Sequence, residues 1–188
     1  TIAIKVLLPH VHTTTRQRFE QEALAAAQLN HPGIMAIYDV GRDRDQYYIV
    51  IELVQGRPLY EYIPTAPEVI ARVGSQICNA LDYAHRAGFI HRDIKPANIY
   101  VIGQDDGIKL MDFGLALPMD GSQKRVTSVG SIIGTPAYLS PEQAQGKKLD
   151  LRTDLYSLGI VLYEMVTGQL PFDSDDISAI LIQQVNKL

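Results

Sequence analysis

The sequence predicts an α+β fold in which a small strand-rich part precedes a larger, mainly helical part. Three observations predict it. Three strand-like apolar runs occur within residues 1–54, the tripeptide Gly56-Arg57-Pro58 then interrupts the chain, and apolar residues at helical spacing dominate the remainder. We therefore divide the chain into a first part, residues 1–54, and a second part, residues 55–188.

The first part is predicted to contain three strands and one helix. The strands cover residues 1–8, 34–40 and 47–54, and the polar residues 41–45 form a turn between the second and the third. The helix covers residues 16–29, because threonine hydroxyls precede it as caps and an Asn-His-Pro-Gly sequence ends it.

The second part is predicted to be helical around one short hairpin. The hairpin joins apolar runs at residues 99–102 and 108–111 through a turn that contains Gly and Asp. A loop rich in Ser, Thr and Gly follows over residues 115–136. The predicted helices cover residues 67–87, 141–145, 152–167 and 177–188.

Composition and charge exclude several classes of protein. Of the 188 residues, 46% are hydrophobic, which is enough for a core, and the net charge of −4 argues against binding to nucleic acid or an anionic membrane. The single cysteine, Cys78, is expected in the core and allows no disulfide within the chain, as is usual in the reducing cytoplasm. The longest apolar stretch, residues 155–172, contains Glu164, so we expect a buried helix there and no membrane contact.

Two polar segments carry the most information about chemistry. They are His91-Arg92-Asp93-Ile94-Lys95-Pro96-Ala97-Asn98 and, after the hairpin, Asp112-Phe113-Gly114. The first supplies a carboxylate, an ammonium group and an amide, and the hairpin folds the second carboxylate back beside them. Phosphoryl transfer from ATP requires such a set: a carboxylate to receive the hydroxyl proton, a cation near the moving phosphate, and oxygen ligands for Mg²⁺.

These two segments resemble the catalytic and metal-binding loops of eukaryotic-type protein kinases. The sequence Leu139-Ser140-Pro141-Glu142-Gln143-Ala144 is similar to the corresponding segment of bacterial serine/threonine kinases. The resemblance implies a two-lobed protein-kinase-like fold, with residues 1–54 as part of the N-lobe and residues 55–188 as part of the C-lobe. It also implies transfer of the γ-phosphate of ATP to Ser or Thr hydroxyls of protein substrates, the kinase itself included.

The resemblance assigns catalytic roles to four side chains. Asp93 orients the substrate hydroxyl and accepts its proton, and Lys95 neutralises charge on the moving phosphate. Lys5 holds the α- and β-phosphates and pairs with a helix glutamate, for which Glu22 is the first choice and Glu20 the competitor. A Lys at position 95 favours Ser/Thr over Tyr as the phosphate acceptor.

The resemblance also assigns metal ligands and packing residues. Asn98 and Asp112 supply oxygen ligands to Mg²⁺, with Mn²⁺ as an alternative ion. His91 and Phe113 are expected to pack in a hydrophobic column that marks the active state.

The adenine site is expected between the two lobes. Glu52 and Val54 belong to the hinge that offers backbone groups to the purine, and Ile51 guards the deeper pocket. Ala3 covers one face of the ring and Tyr100 the other, where the family more often has Leu or Met. An aromatic residue there either stacks on adenine or crowds the pocket.

Residues 134–142 resemble the end of the activation segment that positions the peptide substrate. Thr135 is expected to form a hydrogen bond near Asp93, as in Ser/Thr kinases, and Glu142 is expected to be structural. Asp154 matches the helix aspartate that binds the catalytic-loop backbone, although an acid at a helix N-terminus is also favoured by the helix dipole alone.

Regulation by phosphorylation is expected from Arg92, which precedes the catalytic aspartate. An arginine there meets an activation-loop phosphate in many kinases, and such a charge pair can order the loop. Thr127 is the first choice for the modified residue, with Ser128 and Ser131 as alternatives.

Two other classes of function fit the sequence less well than a protein kinase does. A pseudokinase acting as a scaffold usually lacks a residue corresponding to Lys5, Asp93, Asn98 or Asp112, and all four are present. A small-molecule kinase shares the loop chemistry but not the peptide-positioning segment over residues 134–142.

Both ends of the chain lie in predicted secondary structure, which predicts a fragment. This sequence does not include the glycine-rich phosphate loop that precedes this lysine, Lys5, in the family. It also does not include the last helices of the C-lobe. We therefore expect the 188 residues alone to bind ATP weakly. Bacterial kinases of this kind often continue into a membrane anchor, which would lie outside this segment.

Overall fold

The computed structural model describes residues 1–6, 23–44, 46–103, 106–113, 126–127, 131–132 and 136–186. Its strands are β1 (Ile2–Val6), β2 (Ile37–Asp43), β3 (Gln46–Glu52), β4 (Gly56–Pro58), β5 (Ile99–Ile102), β6 (Gly107–Leu110), β7 (Val126–Thr127) and β8 (Ser131–Ile132). Its α-helices are α1 (Pro67–Arg86), α2 (Pro141–Ala144), α3 (Arg152–Thr167) and α4 (Ile177–Asn186), and Leu59–Tyr62, Pro96–Asn98 and Pro136–Tyr138 form 3₁₀ turns. Residues 23–29 are the described part of the helix predicted over residues 16–29; residues 23–26 are helical, and the helix ends there rather than at residue 29.

The first described sheet has the antiparallel strand order β1-β3-β2. Its central strand carries Ile49, which is fully buried and lies opposite Lys5 of β1. Strand alternation places Ala3 and Lys5 on one face of β1 and the exposed apolar residues Ile2 and Ile4 on the other. The sheet therefore holds Lys5 on the same face as Ala3, at a fixed distance along the strand.

The boundaries of β2 differ from the prediction. The strand was expected over residues 34–40 with a turn at 41–45, but it runs over Ile37–Asp43, and Ile34 makes only an isolated bridge to Leu110. Tyr48 and Tyr47 of β3 pair with residues 41 and 42, which extends the ladder into the polar stretch. The turn comes later, at Arg44, whose φ is 53°.

The second described sheet contains the predicted hairpin and one strand that was not predicted. Strands β5 and β6 pair from Ile99 opposite Leu110 to Ile102 opposite Gly107. The segment expected only to interrupt the chain is β4, which pairs with β5. Gly56 permits this pairing, because a Cβ at this position would lie 2.5 Å from the carbonyl oxygen of Val101.

The main core lies between α1, α3 and the second sheet. Helix α1 buries residues at helical spacing, including Val73, Ile77 and Leu81, and α3 contributes Val161 and Met165. Cys78 was expected to join them but is exposed, so that expectation was wrong. The apolar neighbours of Cys78 in sequence belong to the buried stripe, and Cys78 itself lies outside it.

Residues near Ile34 connect the first part of the chain to this core. Leu29 and Ile34 are buried in the same cluster as α1 and α3. The backbone N–H of Leu110 donates to the carbonyl of Gly33 at 2.8 Å, and the N–H of Met35 donates to the carbonyl of Leu110 at 2.9 Å. These bonds fix β6, and the residues that follow it, against the first part of the chain. The division at residue 54 remains a prediction.

The described helices begin and end with recognisable signals. Pro67 is the first residue of α1, and Ser140 caps α2 in a reciprocal arrangement with Gln143. Helix α3 ends at Thr167 and is capped by Gly168, whose φ of 72° is the left-handed conformation that glycine adopts at low cost. Within the described ranges, none of the helices is both long enough and apolar enough to cross a membrane.

Candidate active site

The loop between α1 and β5 presents its polar side chains together. Ile94 and Pro96 are buried in the protein, while Asp93 and Lys95 alternate with them and are only partly buried. The ammonium group of Lys95 lies 2.9 Å from Oδ2 of Asp93. Burial of the alternate apolar residues therefore places a carboxylate and a cation side by side at the surface of the core.

Asn98 joins the same cluster through its amide. Its Nδ2 donates to the backbone carbonyl of Asp93 at 2.9 Å and to Oδ2 of Asp93 at 2.8 Å. Because an amide nitrogen has two hydrogens, these bonds fix the orientation of the group and leave Oδ1 as the atom that can bind a metal ion. The 3₁₀ turn Pro96–Asn98 places the side chain of Asn98 beside Asp93.

Asp112 lies beside this cluster, as the predicted hairpin requires. The N–H of Met111 donates to the carbonyl of Asn98 at 2.8 Å. This bond holds the chain before Asp112 against residues 91–98, the catalytic loop, so named for its resemblance to that of protein kinases. Asp112 has a φ of 56°, and its Oδ1 lies 2.8 Å from Nζ of Lys5 in β1. About two fifths of each of these two side chains is exposed. An ion pair thus links the first sheet to the end of β6 on an accessible surface.

The neutral side chain of His91 forms hydrogen bonds to the backbone of both Asp93 and Met111. Its Nε2 lies 2.9 Å from the carbonyl oxygen of Met111 and must donate, because a carbonyl only accepts. Its Nδ1 accepts the N–H of Asp93 at 3.3 Å and therefore carries no proton. Burial lowers the pKa of His91, which favours this neutral form. The ring packs edge-on against Phe113 with 4.5 Å between centroids.

Asp154 holds the start of the catalytic loop. This carboxylate is fully buried in the first turn of α3. Its Oδ2 accepts the N–H of His91 at 2.8 Å, and its Oδ1 accepts the N–H of Arg92 at 2.7 Å. These bonds support Arg92 in a left-handed conformation with a φ of 67°. Asp154 therefore lies at the N-terminus of α3 and also accepts hydrogen bonds from the backbone of the catalytic loop.

His85, which was not predicted from the sequence, is part of this arrangement. Nε2 of His85 donates to Oδ2 of Asp154 at 2.8 Å, and the His85 side chain is nearly buried. The signal was a histidine four residues after Leu81 on the apolar stripe of α1. A polar residue on such a stripe needs a partner, and here the partner is the buried carboxylate.

The segment predicted to be the hinge is joined to the second sheet by Lys109, a partly buried lysine. Nζ of Lys109 lies 2.6 Å from Oε2 of Glu52 and donates to the carbonyl of Ile34 at 3.2 Å. The same Glu52 oxygen accepts the N–H of Ala36 at 3.1 Å. Lys109 was also missed, because a lysine in the middle of a strand usually faces solvent.

The residues predicted to surround adenine lie near this junction. Ala3 pairs with Ile51 across β1 and β3, and Tyr100 pairs with Lys109 across β5 and β6, so Tyr100 and Lys109 share a face. Ile51, Tyr100 and Val54 are all half-buried. Their contact with a nucleotide remains a prediction.

Comparison with known proteins decides the family. The family described as the protein kinase domain matches residues 1–188. The chain belongs to the protein kinase domain family. The resemblance inferred from the two polar segments is therefore confirmed, together with the α+β kinase fold.

Curated relatives narrow the kind of kinase. The chain is 43% identical to a probable serine/threonine-protein kinase of Corynebacterium efficiens, in an alignment that covers 99% of the chain and 30% of the relative. It is 44% identical to the serine/threonine-protein kinases PknB of Mycolicibacterium smegmatis and of Mycobacterium tuberculosis, covering 90% of the chain and 28% of each relative. The chain thus resembles bacterial serine/threonine kinases and spans less than a third of the length of these relatives.

Several residues assigned from the kinase resemblance lie outside the described residues. They are Glu22 and its competitor Glu20, together with Thr135 and Ser128. Only the main chain of Thr127 and Ser131 is described, and these two residues pair across β7 and β8. Their roles in the kinase remain predictions.

The described end of the kinase activation segment is tied to α3. The hydroxyl of Thr153 donates to Oε1 of Glu142 at 2.6 Å, and the hydroxyl of Tyr138 donates to Oε2 of Glu164 at 2.7 Å. Burial, with the Glu164 carboxylate, raises the pKa of Tyr138, so this hydroxyl remains a donor. These bonds hold the segment against the helix that also carries Asp154.

The predicted metal ligands fit Mg²⁺ in their chemistry. Asp112 supplies a carboxylate and Asn98 an amide oxygen, and Mg²⁺ prefers hard oxygen ligands of this kind. No group of three or more His, Cys, Asp or Glu residues suited to a metal occurs among the described residues. Two protein ligands nevertheless suffice for Mg²⁺ at a kinase site, because ATP phosphates and water complete its coordination.

Proposed function

We propose that the protein carrying this chain is a serine/threonine protein kinase that transfers the γ-phosphoryl group of ATP to Ser or Thr hydroxyls of proteins. One observation carries the proposal: the side chains of Lys95 and Asn98 both contact Asp93 directly. The ion pair of Lys5 with Asp112 lies beside them on the next segment. The names of the bacterial relatives support Ser and Thr as the acceptors.

The chemistry of the step follows from the charges in this cluster. The substrate oxygen forms a bond to the γ-phosphorus while the bond from that phosphorus to the bridging oxygen of ADP breaks. The hydroxyl proton passes to the carboxylate of Asp93, and Lys95 neutralises charge on the transferring group. Lys5 binds the α- and β-phosphates. Mg²⁺, held by Asn98 and Asp112, would stabilise negative charge on the phosphate oxygens.

We place this activity in the cytoplasm, where ATP is available, and any membrane anchor outside these residues. Protein substrates include the kinase itself, with Thr127 as the residue modified. A phosphate on Thr127 would carry about −1.5 to −2 charges and pair with the guanidinium of Arg92. That pairing would order the activation segment beside Asp93.

The experiment measures Mg²⁺-dependent turnover of ATP on a generic Ser/Thr protein substrate. It uses the complete protein, including any sequence that flanks these residues, and compares wild type with Asp93→Ala. We expect a loss of at least about 100-fold in kcat for the variant, with phosphate on Thr127 found only in active enzyme. Asp82→Ala, on the exposed face of α1, is the matched control and should retain full activity.

Two results would contradict the proposal. Equal turnover in wild type and Asp93→Ala would exclude Asp93 from the chemistry. Absence of turnover in the wild type, with ATP binding intact and Thr127 phosphorylated, would indicate that the protein acts as a binding scaffold.

A further inference from the structure

A buried glutamine beside the catalytic loop has a role that the kinase chemistry above does not use. Gln143, the third residue of α2, is 7% exposed. Its Oε1 accepts the N–H of Ser140 at 3.0 Å, and its own N–H donates to Oγ of Ser140 at 3.3 Å. These two bonds form the capping box that begins α2.

The other end of the same amide reaches the catalytic loop. Nε2 of Gln143 donates to the backbone carbonyl of Arg92 at 2.8 Å. The orientation of the amide is unambiguous, because the reverse orientation would place two acceptors together on one side and two donors together on the other. Gln143 is thus a direct link from the end of the activation segment to the peptide that precedes Asp93.

That peptide is held at both of its polar atoms. Its carbonyl, from Arg92, accepts from Gln143, and its N–H, from Asp93, donates to Nδ1 of His91 at 3.3 Å. The N–H of Arg92 is held in turn by Asp154 at 2.7 Å. Arg92 has a φ of 67°, a conformation that residues with a Cβ seldom adopt without support. The orientation of the peptide decides where the Asp93 carboxylate points.

Helix capping alone does not explain an amide at position 143. A capping box accepts Glu as readily as Gln, because either side chain offers an oxygen to the N–H of the capping residue. A carboxylate, however, has no hydrogen to donate to the carbonyl of Arg92 and would face it with like partial charge. The bond to the catalytic loop therefore explains why the side chain at position 143 has an N–H donor.

We propose that Gln143 is a positioning residue for phosphoryl transfer: its amide fixes the Arg92–Asp93 peptide so that the Asp93 carboxylate faces the substrate hydroxyl. This inference rests on the proposed kinase function. It predicts an effect on the chemical step, since small displacements of a catalytic group reduce the rate far more than they reduce binding. ATP affinity should change little, because Ala3, Lys5 and the predicted hinge, which are assigned to adenine and the α- and β-phosphates, lie on the first sheet and the segment after it.

The test compares Gln143→Glu with Gln145→Glu in the complete protein. Gln145 is exposed and two residues further along, so the same change there is the matched control. For Gln143→Glu we expect kcat to fall about tenfold or more, with the KM for ATP within about twofold of wild type. Gln145→Glu should match wild type in both.

A second variant separates positioning from folding. Gln143→Met keeps a similar volume without burying a charge, and it removes the donor to Arg92. Circular dichroism and thermal unfolding measure the folded fraction of each variant, and kcat is expressed per folded molecule. We expect the folded Met variant also to lose kcat with KM for ATP retained.

The inference is overturned if both Gln143 variants keep the wild-type kcat per folded molecule, or if their KM for ATP rises while kcat is unchanged. Either result with an active wild type leaves the proposed function standing. A wild type without turnover, matched by Asp93→Ala, overturns the proposed function and this inference with it.

Discussion

At the scale of single residues, the cluster around Asp93 is held by contacts among its own members and by one buried neighbour. Asp93 receives bonds from Asn98 and Lys95, while its backbone depends on His91. The sequence analysis predicted the cluster because its members lie close together in the chain. It could not predict that Lys5 meets Asp112, since that contact depends on the register of two sheets.

His91 is expected to make the stability of the protein depend on pH. Burial lowers its pKa below the ordinary value of about 6.5, so the unfolded chain binds this proton more readily than the folded protein. Its contribution to stability is complete above about pH 6.5 and is lost as the pH falls from there toward the folded-state pKa. Urea unfolding at about pH 7.5 and about pH 5.5 should show a smaller loss of stability in His91→Phe than in wild type. An equal loss of stability in His91→Phe and in wild type would contradict the lowered pKa of His91.

At the scale of secondary structure, local signals predicted helices better than strands. The helix predicted over residues 67–87 is Pro67–Arg86, and the one predicted over 152–167 has those bounds, because apolar spacing and terminal Pro or Gly are local features. Strand β4 was missed because its pairing depends on β5, which lies more than forty residues away in the chain. Gly56 was interpreted as a break, although its lack of a side chain is what allows the pairing.

Gly56→Ala should therefore weaken the second sheet. The added Cβ would lie 2.5 Å from the Val101 carbonyl, and a backbone atom cannot move aside as a flexible side chain can. We expect a loss of about 1–3 kcal/mol in the free energy of unfolding, measured with urea. Arg57→Ala, at the next position of β4 with a mostly exposed side chain, should change it by less than about 0.5 kcal/mol. Equal effects of the two changes would show that Gly56 has no steric role.

At the scale of the whole molecule, the connection between the first sheet and the helical part depends on a few contacts. Ile34 and Leu29 pack in the main core, and Lys109 bonds to Glu52 and to the carbonyl of Ile34. The sequence predicted two parts but not these contacts. A lysine and a glutamate 57 positions apart give no sign in the sequence that they will meet.

The pair of Lys109 and Glu52 should stabilise the protein more than a surface pair. Its side chains are 13% and 25% exposed, so solvent screens the attraction only in part. A double-mutant cycle with Lys109→Met and Glu52→Gln should give a coupling energy of about 1–3 kcal/mol by urea unfolding. The same cycle on the exposed pair Arg57 and Glu61, with 3.8 Å between the charged atoms, should give less than about 0.5 kcal/mol. A coupling near zero for Lys109 and Glu52 would contradict this account.

The buried carboxylate of Asp154 has a consequence for dynamics. The amide hydrogens of His91 and Arg92 both bond to it, and each bond must break, by separation of α3 from the catalytic loop, before the hydrogen can exchange. Their exchange with deuterium should therefore be slow and limited by that opening. Two backbone signals would then report whether the catalytic loop is assembled, in the absence of nucleotide or substrate.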